Sequence, residues 1–331
     1  MKAMVLEKFN SSLCLKEVND PAPGKGEVLI RVHTCGTCGS DLKISSGKIS
    51  TTSLPHILGH EVAGQIVQCG DEVPPNRIGE RVALHIYNSC GNCKWCVKGN
   101  YNLCTNLRGR IGFENPGGFA ELVIAPARNA VVIPDNISYK EASLVPCAML
   151  AIYRAINRAK VEDNDRVAML GVGGLGIHGI QFLRLLGVDI TAIDINLHKL
   201  EFAKSLGADK ALLFEEFITD NGVYDVIFDN VGAVEVTKKC LTKLNKNGRY
   251  VMVAYSPGIN SSFDSEYMHL NETQIIGSRN GSIEEFIEIM NLLSSGRVKA
   301  VIDSVLDLDQ ADQALSLTRE GKAVGRVILK I

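Results

Sequence analysis

The first third of the chain is a series of short apolar runs separated by turn-forming residues. Segments 28–32 and 61–67 have the length and content of strands, and Gly, Pro and Asp residues interrupt the sequence around them. Runs bounded in this way are typical of β-strands. The pattern therefore predicts a β-rich region over the N-terminal third of the protein.

From about Ser138 the pattern changes to helical spacing and then to alternating strands and helices. Segment 139–160 is rich in Ala, Leu and Ile at the spacing of a helix. The segments after it predict strands at 166–170, 189–193, 223–228 and 248–254, and a helix at 177–186. Such alternation is typical of a parallel sheet with helical crossovers. The C-terminal part opens with a predicted helix at 282–293 and closes with a strand at 326–331.

Length and charge narrow the classes of protein. A chain of 331 residues exceeds what one hydrophobic core usually supports, so two domains are expected. The 35 basic and 37 acidic residues give a net charge of −2, which provides no positive surface for nucleic acid or an anionic membrane. No apolar run reaches the roughly 18 residues of a membrane span. Because Met1-Lys2-Ala3 leads into a strand pattern and not an apolar leader, we expect a cytoplasmic protein.

Four closely spaced cysteines provide the first chemical signal. Cys90, Cys93, Cys96 and Cys104 lie in the segment CGNCKWCVKGNYNLC. Four thiolates can complete a tetrahedral zinc site and leave no position for water or substrate. The spacing therefore predicts a structural zinc site, which stabilises a lobe and has no catalytic role.

Besides unliganded thiols, two other interpretations of these cysteines compete with zinc. An iron–sulfur site begins with similar spacing, but its fourth cysteine follows closely and precedes a proline, whereas Thr105 follows Cys104 here. Disulfides are the other alternative for a chain with ten cysteines, but they are rare in the reducing cytosol. Zinc is the favoured interpretation.

A glycine-rich turn predicts a dinucleotide site. Gly171, Gly173, Gly174, Leu175 and Gly176 belong to the segment GVGGLG, between a predicted strand and a predicted helix. The glycines permit the tight turn, the close approach of a pyrophosphate and the packing of helix on strand.

An acidic residue indicates which dinucleotide binds. Asp194 ends the second strand of this region, where a carboxylate can accept hydrogen bonds from the adenosine ribose. A 2′-phosphate would meet its negative charge, so NAD is favoured over NADP. Lys199 could moderate this preference.

Three further candidate ligands are scattered along the chain. Cys38, His60 and Cys147 could form a zinc site with an open fourth position, as catalytic zinc sites have. Spacing alone indicates this weakly, because a buried Cys is often only a small apolar residue.

The chain resembles the zinc-dependent medium-chain alcohol dehydrogenases over nearly its full length. The segments that carry the resemblance are GTCGSD (36–41), LGHEVAG (58–64), GERV (79–82), the four-cysteine segment, GGFAE (117–121), Cys147, the glycine-rich turn and GRV (325–327).

The resemblance implies an α/β fold with two domains. A GroES-like, β-rich catalytic domain is expected at 1–148 and 281–331, with the structural zinc lobe at about 90–104. A doubly wound, parallel-sheet Rossmann domain that binds NAD is expected at 149–280.

The resemblance also assigns roles to the scattered residues. It implies that Cys38, His60 and Cys147 bind a catalytic zinc and that Glu61 lies close enough to exchange with water or substrate. Asp41 is implied as the partner that fixes the orientation of the ligating histidine.

A proton relay is implied to start at Ser40. Many relatives carry a histidine where this chain has Lys43, and we expect this lysine to be exposed and the proton to leave through water.

The implied activity is that of a zinc- and NAD-dependent alcohol dehydrogenase with two zinc ions per chain. Hydride would pass between a primary or secondary alcohol, held as a zinc-bound alkoxide, and nicotinamide. The partner would be a small alcohol, aldehyde or ketone, and the chain would form a homo-oligomer, either a dimer or a tetramer. The alternatives are a polyol, sugar or amino-alcohol dehydrogenase, or a non-catalytic dinucleotide-binding relative.

Overall fold

A computed structural model describes residues 1–331. In chain order the strands are β1 (Lys2–Leu6), β2 (Cys14–Glu17), β3 (Glu27–Gly36), β4 (His56–Ile57), β5 (Glu61–Cys69), β6 (Arg81–Leu84), β7 (Leu122–Pro126), β8 (Ala130–Val132), β9 (Arg166–Leu170), β10 (Asp189–Asp194), β11 (Lys210–Leu213), β12 (Tyr224–Asp229), β13 (Leu244–Met252), β14 (Gln274–Gly277), β15 (Ile302–Asp307) and β16 (Arg326–Lys330). The helices are α1 (Gly39–Ser45), α2 (Tyr139–Ser143), α3 (Leu150–Ala159), α4 (Gly176–Arg184), α5 (Leu197–Ser205), α6 (Phe214–Thr219), α7 (Val234–Leu241), α8 (Ser265–Asn271), α9 (Ile283–Ser294) and α10 (Ala311–Glu320).

The chain divides into two compact units. Unit 1 comprises Met1–Leu150 and Gly281–Ile331, and unit 2 comprises Ala151–Asn280. The C-terminal segment returns to unit 1 because β16 pairs antiparallel with β3, so that Ile328 lies opposite Gly36.

Unit 1 is built on β-sheets. Its large sheet has the order β15-β16-β3-β5-β6-β8, with β7 also paired to β3, and a second sheet has the order β2-β1-β4. The strand β3 pairs antiparallel with β5. Buried aliphatic and aromatic side chains such as Ile30, Ile66 and Phe119 form the core between these elements.

Unit 2 is a parallel sheet in which helices alternate with strands. The strand order is β11-β10-β9-β12-β13-β14, and each neighbouring pair is parallel. The chain builds the sheet outward from β9 in one direction and then from β12 in the other. The order therefore reverses between β9 and β12, the position where ligands bind in doubly wound sheets, at the carboxyl ends of the strands.

Most strands that the sequence predicts lie where the pattern places them, but segment 139–160 does not form one helix. It is divided into α2, a π-helical turn at Val145–Met149, and α3. Pro146 lies in the turn. Proline has no backbone N–H and its ring clashes with the preceding helical turn, which explains the interruption.

Candidate functional site

Unit 1 brings four of the sequence-predicted ligands into one cluster. Cys38 directly precedes α1, His60 directly precedes β5, Glu61 begins β5, and Cys147 lies in the π-helical turn. The register of β3 and β5, with Gly36 opposite Glu61, brings the first three together. One donor atom from each of the four residues lies within 4.8 Å of the others.

The donor atoms fit a zinc ion. The sulfurs of Cys38 and Cys147 are 4.0 Å apart. Two sulfurs bound at about 2.3 Å to a tetrahedral zinc would lie roughly 3.8 Å apart. The Nε2 atom of His60 is buried and has no hydrogen-bond partner in the structure. A buried polar atom normally has a partner, and a metal ion in this cluster would provide one.

Asp41 orients both the histidine and the chain that carries Cys38. Its Oδ1 atom lies 3.2 Å from Nδ1 of His60, and its Oδ2 atom accepts a 2.8 Å hydrogen bond from the backbone N–H of Cys38. Because a carboxylate accepts hydrogen bonds, it holds the proton on Nδ1 and leaves the lone pair of Nε2 free for a metal. The role that the resemblance implies for Asp41 is thus geometrically feasible.

Arg326 belongs to the same cluster, although neither residue spacing nor the family resemblance indicates a role for it. Its Nη2 atom lies 2.9 Å from Oε1 of Glu61, and its Nε atom lies 3.1 and 3.2 Å from the two carboxylate oxygens. Nη2 also donates to Sγ of Cys38 at 3.3 Å. The motif at 325–327 was the only signal of this residue, and only the pairing of β16 with β3 shows what its guanidinium contacts.

The electrostatics of the cluster suit a cation. The hydrogen bond with Cys147 holds the pKa of Cys38 well below its usual range, with help from the Arg326 charge and against the effect of burial. The same hydrogen bond, together with burial, raises the pKa of Cys147. A metal bound to both sulfurs requires both thiols to lose their protons. Burial raises the pKa of Glu61, and the charge of Arg326 opposes this effect.

Helix α1 carries Ser40 and Lys43 one turn apart, and residues at this spacing lie on the same face of a helix. Ser40 is half-buried. The expectation that Lys43 is exposed is wrong, because its side chain is also half-buried. Burial lowers the pKa of this lysine, and the negative charge of a Cys38 thiolate opposes the effect. A lysine with a lowered pKa is better able to transfer a proton near neutral pH than an exposed one.

The four clustered cysteines form a second set of potential metal ligands in unit 1. The sulfur of Cys93 is 3.5 Å from that of Cys96, and the sulfur of Cys90 is 3.5 Å from that of Cys104 and 3.9 Å from that of Cys96. These distances are too long for disulfides, and all four are free thiols. Backbone N–H groups of Thr105 and Cys96 lower the pKa of Cys93, which favours the thiolate that zinc binds.

The glycine-rich turn of unit 2 connects β9 to α4 at the point where the strand order reverses. Gly171 has a φ of +79°, which favours glycine. A Cβ atom on Gly176 would lie 2.1 Å from the carbonyl oxygen of Gly171, so this position requires glycine for packing. A Cβ atom on Gly173 would meet nothing closer than Nζ of Lys199 at 3.9 Å. Folding therefore does not require glycine at position 173. The remaining physical reason for a glycine there is the space that it leaves for a ligand.

Asp194 and Lys199 both lie close to this turn. The Oδ2 atom of Asp194 accepts a 2.9 Å hydrogen bond from the N–H of Val172, and Oδ1 accepts from the N–H groups of Ile195 and Asn196 at 2.8 and 3.1 Å. Gly174 and Leu175, which directly precede α4, are partly exposed. The structure thus brings the predicted dinucleotide residues together at one end of the sheet.

Comparisons with known proteins agree with this architecture. Residues 24–135 match the alcohol dehydrogenase GroES-like domain, and residues 174–295 match the zinc-binding dehydrogenase domain. An alcohol dehydrogenase from Geobacillus stearothermophilus and an NAD-dependent alcohol dehydrogenase from Sulfolobus acidocaldarius are each 33% identical over 100% of this chain and of their own. The cobalt- and zinc-bound thermostable alcohol dehydrogenase from Pyrobaculum aerophilum is 31% identical, with a TM-score of 0.93 over 100% of this chain and 99% of that chain.

The chain belongs to the zinc-dependent medium-chain alcohol dehydrogenase family. The predicted α/β fold class, with a GroES-like domain and a Rossmann-type parallel-sheet domain, is confirmed. None of the helices combines the length and the apolar character needed to cross a membrane.

Proposed function

We propose that this chain oxidises primary or secondary alcohols, and reduces the corresponding aldehydes or ketones, with zinc in unit 1 and NAD in unit 2. The observation that carries the proposal is the cluster of Cys38, His60, Glu61 and Cys147, with a buried and unpartnered Nε2 atom on His60. Two thiolates and one imidazole leave a fourth position for substrate, as catalytic zinc sites require. We assign unit 1 as the catalytic domain and unit 2 as the NAD-binding domain.

When bound, zinc supplies a Lewis acid for the alcohol oxygen, and NAD supplies the hydride acceptor. The protein's own residues prepare that site. Asp41 directs the lone pair of His60 towards the thiols, and Arg326 compensates the negative charge of Glu61 and Cys38. The contact with Arg326 keeps Glu61 beside the cluster, from where it could exchange with substrate or water.

We assign the removal of the alcohol proton to α1. Ser40 is the group that would accept a hydrogen bond from the substrate hydroxyl, as the family resemblance implies. Lys43, one turn further along the helix and half-buried, is positioned to pass the proton onward. The lowered pKa of Lys43 supports this proton-transfer role, for which an exposed lysine with an ordinary pKa would be poorly suited.

In unit 2 we assign NAD to the glycine-rich turn, with Asp194 selecting the ribose. Free N–H groups at the start of α4 would face the pyrophosphate. The carboxylate of Asp194 is held in place by three backbone N–H groups, and it opposes a 2′-phosphate by its charge. The amino group of Lys199, near Gly173, is the one positive charge that we expect to moderate this preference.

We assign the second zinc a structural role at Cys90, Cys93, Cys96 and Cys104, because all four ligands come from the protein. We also propose that the protein is cytoplasmic, in accord with ten cysteines that are free thiols.

A homo-oligomer, either a dimer or a tetramer, is proposed from the surface of unit 2. The strand β14 is a sheet edge, and Ile259, Phe263 and Leu270 in the same unit are exposed. Edges and apolar surfaces of this kind commonly pair with another chain. Light scattering on the purified protein measures the assembly mass directly.

The test of the function is a substrate panel combined with metal analysis. The zinc-replete protein should contain two zinc ions per chain and should reduce NAD with simple primary or secondary alcohols. Replacing Cys38 by Ala should abolish turnover and remove one zinc. Cys35→Ala is the matched control, because Cys35 is also buried, lies three residues away and is outside both ligand sets. Turnover with polyols alone would refute the substrate assignment, and one zinc with no turnover on any alcohol would indicate a non-catalytic relative.

A further inference from the structure

A buried carboxylate at the end of β12 supports the loop that faces the glycine-rich turn. The Oδ1 atom of Asp229 accepts hydrogen bonds from the backbone N–H groups of Val231 and Gly232 at 2.8 and 2.9 Å. Asp229 is fully buried. Its side chain therefore determines how the chain turns as it leaves the strand.

The other carboxylate oxygen is held by a tyrosine from the neighbouring strand. The hydroxyl of Tyr250, on β13, donates to Oδ2 of Asp229 at 2.5 Å and lies 3.1 Å from Oγ1 of Thr237 on α7. The ring of Tyr250 is completely buried. A buried charged group is stable only when it is fully hydrogen-bonded, so this contact fixes the position of the carboxylate.

The loop supported in this way contacts the glycine-rich turn. The side-chain amide of Asn230 donates to the carbonyl oxygens of Leu170 and Gly171 at 3.2 and 3.3 Å. A Cβ atom added to Gly171 would lie 3.0 Å from Cγ2 of Val231. The side chain of Val231 is 47% exposed. The loop 230–232 thus presents an apolar side chain beside the turn.

The sheet topology places this loop where doubly wound sheets bind their ligands. It leaves β12, and the glycine-rich turn leaves β9, and the strand order reverses between these two strands. Ligands of doubly wound sheets bind between the two loops at such a reversal. Loop 230–232 is therefore one wall of the crevice and the glycine-rich turn is the other.

We propose that Tyr250 is a positioning residue for dinucleotide binding, because its hydroxyl holds Asp229, and Asp229 holds loop 230–232 against the glycine-rich turn. The inference rests on the proposed binding of NAD in unit 2. Tyr250 itself lies inside the unit and touches neither the substrate nor the cofactor. Its loss should weaken NAD binding while the alcohol chemistry at saturating NAD stays the same.

The test replaces the hydroxyl and keeps the ring. Tyr250→Phe should raise the Kd for NADH, measured by fluorescence titration, roughly tenfold, as expected when one hydrogen bond to a charged group is lost. The KM for NAD should rise in parallel while kcat stays within about twofold. Thr237→Val removes the hydroxyl that lies beside that of Tyr250. This variant should also raise the Kd for NADH, but by less than Tyr250→Phe.

Tyr224→Phe is the matched control. Tyr224 is also a buried tyrosine of this sheet, its hydroxyl bonds to Thr191, and it begins β12 at the end opposite the crevice. Both Phe variants should melt at a lower temperature than the parent, but only Tyr250→Phe should weaken the binding of NADH. Only that variant should also show faster hydrogen exchange of the Val231 and Gly232 amides.

The outcomes separate this inference from the proposed function. If the parent protein does not bind NADH, the proposed function fails. If the parent binds NADH and neither Tyr250→Phe nor Thr237→Val changes the Kd, only the positioning role is refuted. An equal loss of affinity in Tyr224→Phe would also refute it, because the effect would then be a general loosening of the sheet.

Discussion

Acidification should destabilise this protein through one buried histidine. His85 directly follows β6 and is completely buried, and its Nε2 atom lies 3.0 Å from the carbonyl oxygen of Gly281. Its Nδ1 atom is buried and has no partner. Burial is the largest cause that lowers the pKa of His85 from 6.5 to about 4, and the hydrogen bond to Gly281 and the charge of Glu284 oppose it weakly.

The size and sign of the effect follow from linkage. In the unfolded chain the imidazole binds a proton near pH 6.5, whereas in the folded protein it does so only near pH 4. The stability that the protein has when His85 is neutral is therefore fully present above pH 6.5, and it is lost as the pH falls from 6.5 to 4. A pKa difference of about 2.5 corresponds to about 3 kcal/mol of folding free energy at the acid end of this window.

The measurement is a series of thermal melts between pH 7.5 and pH 4.5 on the parent and on His85→Gln. Glutamine can still donate to Gly281 but does not titrate. The melting temperature of the parent should fall more steeply below pH 6.5 than that of the variant. His198→Gln, which changes an exposed histidine, should follow the parent. Identical slopes for the parent and His85→Gln would show that His85 is not buried and neutral in the folded state.

The remaining predictions concern the metal, cofactor and relay residues. Cys93→Ala should lower the zinc content from two ions per chain to one and lower the melting temperature; a variant that melts like the parent with both zinc ions would contradict the structural role. NAD should outperform NADP by at least about tenfold, and Asp194→Ser should narrow the gap, as measured by kcat/KM with each cofactor. Ser40→Ala should lower turnover roughly 10²-fold with zinc content unchanged. Lys43→Ala should lower turnover less than Ser40→Ala does, but it should shift the alkaline limb of the pH–rate profile. An unchanged profile would exclude the lysine from the relay. Arg326→Met should destabilise the protein by about 3–5 kcal/mol, because it leaves Glu61 buried without its partner. In thermal melts, the double variant Arg326→Met with Glu61→Gln should recover much of the lost stability.

The clustered motifs could be predicted from the sequence because their geometry is local. Cys90, Cys93 and Cys96 lie within a few residues of one another, so any compact loop brings their sulfurs together. The turn at 171–176 follows a recognisable strand and opens a helix, and backbone conformation requires glycine at 171 while packing requires it at 176. The alternating pattern of strands and helices likewise predicted the parallel sheet of unit 2.

Local pattern failed where one side chain interrupts an element or where burial depends on distant packing. Segment 139–160 has helical periodicity throughout, but Pro146 divides it, and the resulting π-helical turn is where Cys147 lies. Lys43 was expected to be exposed because lysine usually is, and only the packing around α1 makes it half-buried.

The sequence by itself determined the β-rich region, the alternation of strands and helices, the four-cysteine set and the dinucleotide turn, because these depend on periodicity, spacing and backbone conformation. The set of Cys38, His60 and Cys147 followed from the family resemblance, because its members are scattered along the chain. The tertiary structure decided which residues support them. Arg326 reaches Glu61 across 265 residues of chain because β16 pairs with β3, and Tyr250 meets Asp229 because β13 pairs with β12. Contacts between strands depend on the pairing and register of the sheet, which are set by the packing of the whole unit.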